Sequence, residues 1–323
     1  MNISIISSCN NNCEYCFQHG YHEENKMLSF EEIEDIMQWG LTEPRIGILG
    51  GEPTLHPDIV KIVRKAKELN HVCVFTNLLC KTELLEQLIE IGGIGYLVNT
   101  TSRDELRDLF YKNAAMLHSK IDYLRRNRIE FSLGLTLMND EKIDTKYIDN
   151  MFNIINTYPG LTNHVRMGIA TPFHEGTFDL MNYDGPVRYM IEKILNDYAD
   201  ITIGFDCSTN NCQISPTLMG LALENPRVTN FSLGCAEPVL DVLVDKSLKY
   251  CFSFPDDFMR VDNYTRFRNS EEARQWYMMR VTEYMNDNCY QCRYSKIACD
   301  NRVCKGSCPA VNEYLRRQHA VYN

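Results

Sequence analysis

The first 200 residues of the chain alternate between short apolar runs and amphipathic stretches, and this alternation restricts the fold more than any other feature. The predicted strands are NISIIS, RIGILG, HVCVFTN, IGYLVNT, IEFSLGLTL and HVRMGIA. The helices predicted after them are SFEEIEDIMQW, PDIVKIVRKAKEL, TELLEQLIEI, residues 102 to about 127, residues 146–156 and PVRYMIEKILNDY. Because each crossover helix returns the chain to lie beside the preceding strand, six strand–helix units predict a parallel sheet.

Local signals support these helices and strands. Ser29 and Glu32 form a capping-box pattern at the start of the first helix, and Gly92 with Gly93 ends the third. The strands read as apolar runs more than as alternating patterns, which is typical of strands covered on both faces. Periodicity leaves two architectures open, an open doubly wound sheet and an incomplete barrel. In either one, ligands bind at the carboxyl ends of the strands.

Composition argues against several classes of protein. The net charge of −10, with no evident basic patch, argues against a nucleic-acid partner and against an anionic membrane surface. The opening MNISIISS has neither the basic nor the apolar region of a signal peptide, and no apolar run approaches the roughly 20 residues of a membrane span. We therefore expect a cytoplasmic protein that binds neither nucleic acid nor membrane.

The character of the chain changes after residue 200. ITIGF predicts one more strand, and VLDVLVDKSLKYCFSF predicts a hairpin that turns at residues 245–247. SEEARQWYMMRVTEYM predicts a helix, and the cysteine-rich segment after it has no period and few apolar residues. Such a segment needs a metal to fold. We expect two domains, residues 1–200 and residues 201–323, the second a small cysteine-rich α+β domain.

Fourteen cysteines are many for a cytoplasmic protein, where thiols serve metal binding or catalysis more often than disulfides. Three of them lie in the segment CNNNCEYC, residues 9–16, which we call the three-cysteine loop; they are Cys9, Cys13 and Cys16. The loop directly follows the first predicted strand, so it lies at a carboxyl end of the sheet. Three thiolates leave one position of a four-ligand site free for substrate or cofactor. A structural zinc site with His19 or His22 as a distant fourth ligand is the alternative.

The pattern C-x3-C-x2-C followed by the aromatic Phe17 resembles the signature of the radical S-adenosylmethionine (SAM) superfamily. A second motif, GGEP at residues 50–53, ends the second predicted strand, where that family carries its glycine-rich SAM-contacting turn. The resemblance covers roughly residues 1–200 and favours the incomplete (βα)6 barrel. It implies that the three cysteines hold a [4Fe–4S] cluster whose unique iron binds SAM. It also implies a 5′-deoxyadenosyl radical that abstracts a hydrogen from the substrate.

The same resemblance implies a set of residues that contact the cofactor. These are Phe17, Gly50, Gly51, Glu52, Pro53, Asn77, Asn99 and Arg166. The two glycines permit a close backbone approach to the SAM amine. Polar residues near the ends of the third, fourth and sixth strands could reach the ribose or the carboxylate. The alternative for each is an ordinary polar residue that closes a strand.

The C-terminal cysteines resemble the auxiliary-cluster extension called SPASM, or its shorter relative, the twitch domain. The implied ligands are Cys235, Cys251, Cys289, Cys292, Cys299, Cys304 and Cys308. The pattern departs from that family because Lys246 stands in place of a glycine, the gap between Cys292 and Cys304 is six residues too long, and no cysteine follows Cys308. One or two auxiliary [4Fe–4S] clusters are therefore expected, with a zinc site as the alternative.

Four cysteines lie outside both groups. Cys207 and Cys212 could supply a further ligand to an auxiliary cluster. Cys73 and Cys80 are interpreted as small buried side chains.

The resemblance implies an enzyme, because an electron carrier or scaffold has no use for an open three-cysteine site. SPASM relatives mostly oxidise, crosslink or epimerise peptide and protein side chains, and others act on sugars and aminocyclitols. We expect a two-electron oxidation of a peptide side chain, with a small polar metabolite as the alternative substrate. A non-enzymatic iron–sulfur or zinc protein is a remote third hypothesis.

The implied partners are a peptide or small-molecule substrate and an external one-electron reductant of the flavodoxin or ferredoxin kind. Since the first strand begins at residue 2, we expect no N-terminal leader-binding domain, and a separate protein could bind a leader peptide.

Overall fold

The computed structural model of the chain describes residues 1–11, 13, 16, 25–100, 114–129, 131–137, 146–160, 162–169, 184–205, 215–229, 239–250 and 260–288. Its strands are β1 (Asn2–Ser4), β2 (Arg45–Leu49), β3 (His71–Thr76), β4 (Gly95–Thr100), β5 (Ser132–Leu137), β6 (His164–Ile169), β7 (Thr202–Phe205), β8 (Val228–Thr229), β9 (Asp241–Val242), β10 (Leu248–Lys249) and β11 (Arg260–Val261). Its α-helices are α1 (Phe30–Trp39), α2 (Ile59–Leu69), α3 (Thr82–Ile91), α4 (Ala114–Arg126), α5 (Lys146–Thr157), α6 (Asp184–Asp197), α7 (Pro216–Glu224) and α8 (Ser270–Asn288). Short 3₁₀ helices cover Pro53–Leu55 and Tyr264–Arg266.

The described strands form one sheet in the order β11-β10-β9-β1-β2-β3-β4-β5-β6-β7-β8. Neighbouring strands from β1 to β8 are parallel, and β9 adds to the free side of β1 in the parallel sense. The strands β10 and β11 continue the sheet antiparallel. This curled half-barrel of strands and helices confirms the expected incomplete barrel and excludes the alternative doubly wound order.

The two faces of the sheet differ in chemistry. One face is aliphatic, with residues such as Ile46, Val74 and Val165, and it joins the apolar sides of the helices in a continuous buried core. On the other face, strand register places Asn2 beside Gly47 and Asp241. Consecutive residues of β2 and β7 are buried, so both faces of these strands are covered, as the apolar runs predicted. Glycines within the runs conceal the difference in chemistry between the two faces.

Glycines line the polar face where a neighbouring side chain crosses it. A Cβ on Gly47 would lie 2.1 Å from Asn2 Oδ1, and one on Gly134 would lie 2.4 Å from Asn99 Oδ1. Small residues on this face leave room for the polar side chains of the adjacent strands. The glycines and the polar side chains of this face therefore fit against one another.

The first helices follow the sequence signals closely. Ser29 accepts a bond from the Glu32 backbone amide, and the Glu32 carboxylate accepts one from the Ser29 amide at 2.8 Å, so the capping box is confirmed. Gly92 and Gly93 adopt φ values of +65° and +64° after α3, as their position predicted. The helix expected over residues 102 to about 127 is observed as α4, and residues 101–113 lie outside the described part.

Elements from the C-terminal third pack against the beginning of the chain. The Trp39 indole N–H donates to the Phe267 carbonyl at 2.9 Å, and the Arg274 guanidinium pairs with the buried carboxylate of Glu43. The predicted hairpin is confirmed, since β9 and β10 are antiparallel and joined by a tight turn. Strands from both sides of the predicted boundary at residue 200 therefore share one sheet, and the two-domain division stays a prediction.

The sequence interpretation missed α7, β8 and β11. In the segments of the chain that the structure describes, no helix is long and apolar enough to cross a membrane.

Candidate active site

The three-cysteine loop begins five residues beyond the end of β1, at the carboxyl edge of the sheet, as predicted. Cys9, Cys13 and Cys16 are each partly exposed, and none of the three forms a disulfide bond. The Asn11 backbone amide donates to Cys9 Sγ at 3.4 Å, and the Cys16 amide donates to the Cys13 carbonyl at 3.0 Å. Among the described residues, no group of three or more His, Cys, Asp or Glu side chains converges as a ready metal site. The three cysteines lie on one loop, but their side chains do not converge on one point. Binding of one metal by all three would require the side chains to move closer together.

Burial controls the ionisation of the first cysteine. Burial, with smaller contributions from the nearby charges of Glu52 and Cys16, raises the pKa of the Cys9 thiol to about 11, although the Asn11 amide opposes this effect. In the metal-free chain Cys9 is thus a neutral thiol at pH 7. A metal bound there must displace its proton, as metals do at cysteine sites.

The GGEP turn holds the base of the three-cysteine loop through backbone contacts. The Gly51 amide donates to the Ile6 carbonyl at 2.7 Å, and the Glu52 amide donates to the Ser8 carbonyl at 2.9 Å. A Cβ on Gly51 would lie 2.2 Å from the Ser8 carbonyl oxygen, so only glycine permits this approach. Gly50 packs in the same way against Ile6. The contacts of these glycines with the chain explain the motif without a ligand, and their role toward SAM stays a prediction.

Glu52 is 1% exposed and joins the end of β2 to the end of β3. Its Oε1 accepts bonds from the Thr54 amide at 3.1 Å, the Thr54 hydroxyl at 2.6 Å and the Thr76 hydroxyl at 2.8 Å. Its Oε2 accepts a bond from the Asn77 amide at 2.8 Å. Burial raises the pKa of Glu52, and these four donors oppose that effect. The carboxyl group is thus an internal anchor of the site, and Pro53 follows it as the buried first residue of a 3₁₀ helix.

Asn77 connects the three-cysteine loop to β3. Its Nδ2 donates to Asn10 Oδ1 at 2.9 Å, and its Oδ1 accepts a bond from the Leu79 amide at 2.8 Å. Asn10 in turn donates to the Leu79 carbonyl at 2.8 Å. The structure therefore brings Asn77 to the cysteines, but as a support for their loop.

The two other predicted strand residues lie on the polar face. Asn99 lies beside Gly134, and the Arg166 guanidinium lies over the Phe75 ring, 5.2 Å from its centroid. The charge of Arg166 lowers the pKa values of Cys73 and Asp241, although burial, the larger effect, raises both. Asn99 and Arg166 thus share the polar face, and their contact with a cofactor stays a prediction.

Sequence reasoning missed three residues that shape this site. Asn10 was visible in the asparagine run, but its partner Asn77 is 67 positions away. Asp241 is fully buried on the polar face and accepts a bond from Asn2 Nδ2 at 2.8 Å. Lys120 is 1% exposed in α4 and contacts the carbonyls of the turn after β3. Isolated Lys and Asp residues in a sequence give no signal of this kind.

The cysteines that were interpreted as packing residues have different surroundings. Cys80 is buried, as expected, and Cys73 is partly exposed. Other predicted site residues lie outside the residues that the structure describes. These are Phe17, Cys207, Cys212, Cys235, Cys251, Cys289, Cys292, Cys299, Cys304 and Cys308.

Comparisons with known proteins agree with this architecture. A GTP 3′,8-cyclase of Chlorobaculum tepidum is 30% identical over 114 residues, which are 33% of this chain and 34% of that protein. The chain thus matches about one third of the length of that relative. A probable GTP 3′,8-cyclase of Methanocella arvoryzae is 25% identical over 273 residues, covering 81% of this chain and 83% of that protein.

A solved structure shares the fold over nearly the whole length. Native anSMEcpe with bound AdoMet and Kp18Cys peptide has a TM-score of 0.63 and 17% sequence identity, covering 95% of this chain and 88% of that chain. The family model described as the Radical SAM superfamily matches residues 3–151, which run from β1 into α5 and include the three-cysteine loop and the GGEP turn. The similarity to the radical SAM superfamily therefore covers residues 3–151.

Proposed function

We propose that the chain is a radical SAM enzyme in which Cys9, Cys13 and Cys16 hold a [4Fe–4S] cluster. The observation that carries this proposal is the donor set, three cysteines outside any disulfide on one loop at the carboxyl edge of a half-barrel. Three thiolates fit a cubane that keeps one iron for SAM, whereas a structural zinc site uses four ligands. A SAM-bound cluster supplies the organic radical that abstracts a hydrogen from the substrate.

The chain's own residues prepare the loop for this group. Cys9 releases its proton when the cluster binds, and the Asn11 amide donates to the resulting thiolate. The backbone bonds of Gly51 and Glu52 fix where the loop leaves β1. Asn10, held by Asn77, fixes the loop between its first two thiols.

We assign SAM contacts to the carboxyl edge and to the polar face. The proposed contact residues are Gly50, Gly51, Glu52, Pro53, Asn77, Asn99, Arg166 and Phe17. Asn99 and Arg166 are supported by their place on the polar face, where glycines of the adjacent strand make room for their side chains. Glu52 is proposed to act through the turn that it anchors, because its carboxyl oxygens already accept four bonds.

One or two auxiliary [4Fe–4S] clusters in the C-terminal cysteine segment complete the proposal, with an external one-electron reductant as partner. The support is the sequence pattern of the seven cysteines from Cys235 to Cys308. An auxiliary cluster provides an acceptor for the second electron of an oxidation. We therefore infer an oxidoreductase that modifies a peptide side chain, with a sugar or aminocyclitol as the alternative substrate.

A nucleotide substrate is a second candidate. The relatives from Chlorobaculum and Methanocella carry the name GTP 3′,8-cyclase, and the second of them aligns with 81% of this chain. A nucleoside triphosphate needs several cationic contacts. By strand register the described polar face carries Arg45, Arg166, Lys249 and Arg260. Burial raises the pKa of Asp241, the charges of Arg166 and Lys249 oppose this effect, and Arg260 pairs with Asp245. The net charge of −10 favours the peptide.

The cluster assignment is tested by changing Cys9, Cys13 and Cys16 together to Ala. Iron content should fall by about four atoms per chain, and reductive cleavage of SAM should stop. Cys73→Ala is the matched control, since it removes a thiol on β3 and should leave both quantities unchanged. Iron that persists at the wild-type level in the triple variant would contradict the assignment. Iron left after that loss would support auxiliary clusters, and zinc alone would support the structural-zinc alternative.

The substrate is tested with reduced enzyme, SAM, a peptide panel, GTP and a panel of sugars and aminocyclitols. A peptide that loses two mass units, with one 5′-deoxyadenosine formed for each product, would support side-chain oxidation. A cyclised product from GTP, without any peptide product, would establish the second candidate. Turnover of a sugar or aminocyclitol alone would establish the small-metabolite alternative.

A further inference from the structure

A lysine buried beneath the site holds the turn that follows β3. Lys120 is 1% exposed in α4, and its ammonium donates to the Leu78 carbonyl at 2.6 Å and to the Cys80 carbonyl. It lies 3.9 Å from Cys80 Sγ. Burial lowers the pKa of Lys120, and the neighbouring Cys80 thiol opposes this effect. A lysine is rarely buried so completely unless it satisfies specific partners, and here those partners are backbone carbonyls of one turn.

The turn at residues 76–80, which we call the β3 turn, has an unfavourable backbone conformation. Leu78 adopts φ of +60° and is fully buried, although the left-handed region disfavours a residue with a branched side chain. Its amide donates to the Thr76 hydroxyl at 3.0 Å, and that hydroxyl donates to Glu52. The turn is thus fixed by Glu52 from the β2 side and by Lys120 from the α4 side.

The opposite side of the β3 turn contacts the three-cysteine loop. The Leu79 carbonyl and the Asn77 side chain both bond to Asn10, which lies one position after Cys9. These two contacts require that the backbone at Leu78 keep its left-handed conformation, because a change there would turn the Leu79 carbonyl away from Asn10. The position of Asn10 thus depends on bonds that Lys120 makes on the far side of the turn.

We propose that Lys120 is a positioning residue for the three-cysteine loop and acts through the β3 turn and Asn10. The contacts described for Lys120 are with Leu78 and Cys80, and none is with Cys9, Cys13 or Cys16. Its effect on the loop is a property of the folded chain alone. Its consequence for SAM binding rests on the proposed function.

The first test measures amide hydrogen exchange in the chain without added cofactor. Lys120→Met removes the ammonium and keeps an unbranched side chain. We expect exchange in the β3 turn and in residues 5–16 to become at least about tenfold faster. Lys67→Met is the matched control, because Lys67 also donates to a backbone carbonyl, that of Ile91 at 2.6 Å, on another part of the molecule. Unchanged exchange in residues 5–16 of the Lys120 variant would overturn the proposal.

The second test uses Asn10→Ala, which leaves Lys120 and the β3 turn intact. Exchange in residues 5–16 should rise, while exchange in the β3 turn should remain as in the wild type. The double variant should match Lys120→Met in residues 5–16, because both changes break the same connection. Independent, additive effects would indicate that Lys120 only stabilises α4. If Lys120→Met does not fold, the test rests on Asn10→Ala. Unchanged hydrogen exchange in the three-cysteine loop of Asn10→Ala would then contradict the proposal.

The last readout is the electron paramagnetic resonance spectrum of the reduced cluster, recorded with and without SAM. We expect the spectral change caused by SAM to need at least about tenfold more SAM in Lys120→Met than in Lys67→Met. Faster hydrogen exchange with an unaltered response to SAM would show that Lys120 positions the loop. It would contradict an effect of Lys120 on SAM binding. A wild-type chain that binds no cluster would instead contradict the proposed function, and the exchange result would stand by itself.

Discussion

Two carboxyl groups of the half-barrel, Glu52 and Asp241, are both buried, but their surroundings differ. Glu52 accepts four hydrogen bonds from backbone amides and hydroxyls, so its charge is offset by fixed dipoles. Asp241 accepts one bond from Asn2, and the charges of the Met1 ammonium, Arg166 and Lys249 lie farther away. Burial raises the pKa of both groups, and that of Asp241 rises from 3.8 to about 7.

The pKa of Asp241 predicts how stability changes with pH. Because the folded state holds a proton that the unfolded chain has released, stability is greatest below pH 3.8 and falls as the pH rises to about 7. The loss from this group is roughly 4 kcal/mol over that range. Asp241→Asn should remove this slope, and denaturant unfolding at pH 5 and pH 7 measures it. Equal slopes in both proteins would show that Asp241 is ionised throughout.

The residues of the site divide by the range of their contacts. The cysteine spacing and the GGEP turn are local patterns, so they could be read from the sequence and lie where they were expected. The contacts of Asn10 with Asn77 and of Lys120 with Leu78 join positions that are 67 and 42 residues apart. A single sequence does not reveal such pairs, because asparagine and lysine are also common at protein surfaces, where they need no specific partner.

Among the elements, the apolar strands of the barrel and the amphipathic helices with caps could be predicted, whereas α7, β8 and β11 could not. The capping box of α1 and the glycines after α3 gave strong signals. In α7 the apolar residues show no helical period, although Ser215 accepts a bond from the Leu218 amide as N-cap and Pro216 follows it. That pair is a start signal that was overlooked. The strands β8 and β11 have two residues each, too few for any pattern.

The turn between β9 and β10 explains one departure from the SPASM pattern. Lys246 has φ of +68°, a left-handed conformation that favours the glycine expected at this position. Its amide donates to the Leu243 carbonyl at 2.8 Å, and its ammonium pairs with Glu32 at 2.6 Å. Lys246 therefore adopts the left-handed backbone conformation that a glycine would adopt at this position.

Substitutions at Lys246 should follow backbone conformation more than charge. Lys246→Gly and Lys246→Asn both tolerate positive φ, so we expect unfolding free energies within about 1 kcal/mol of the wild type. Lys246→Val should lower the unfolding free energy by roughly 1–3 kcal/mol, because a β-branched residue is strained there. Chemical denaturation compares the three variants. An Asn variant as unstable as the Val variant would assign the effect to the ion pair with Glu32.

At the scale of the whole molecule, the C-terminal third completes the half-barrel. The strand β9 covers the side of β1 that would otherwise be a sheet edge, and α8 buries Tyr277 fully against this region. Arg227 donates to the carbonyls of Ile194, Leu195, Tyr198 and Ala199 at the end of α6. Contacts of this kind link residues beyond 200 to both ends of the barrel.

A chain that ends at residue 200 should therefore not fold cooperatively. It would leave β1 with an unpaired edge, remove the partners of Trp39 and Glu43, and leave the end of α6 without its Arg227 bonds. A chain that ends at residue 288 retains all of these contacts and is the matched control. We expect the longer chain to show a sharp denaturant transition and near-ultraviolet circular dichroism, and the shorter one to show neither. If residues 1–200 unfold cooperatively alone, the barrel is an independent domain and the elements from β7 onward only add to it.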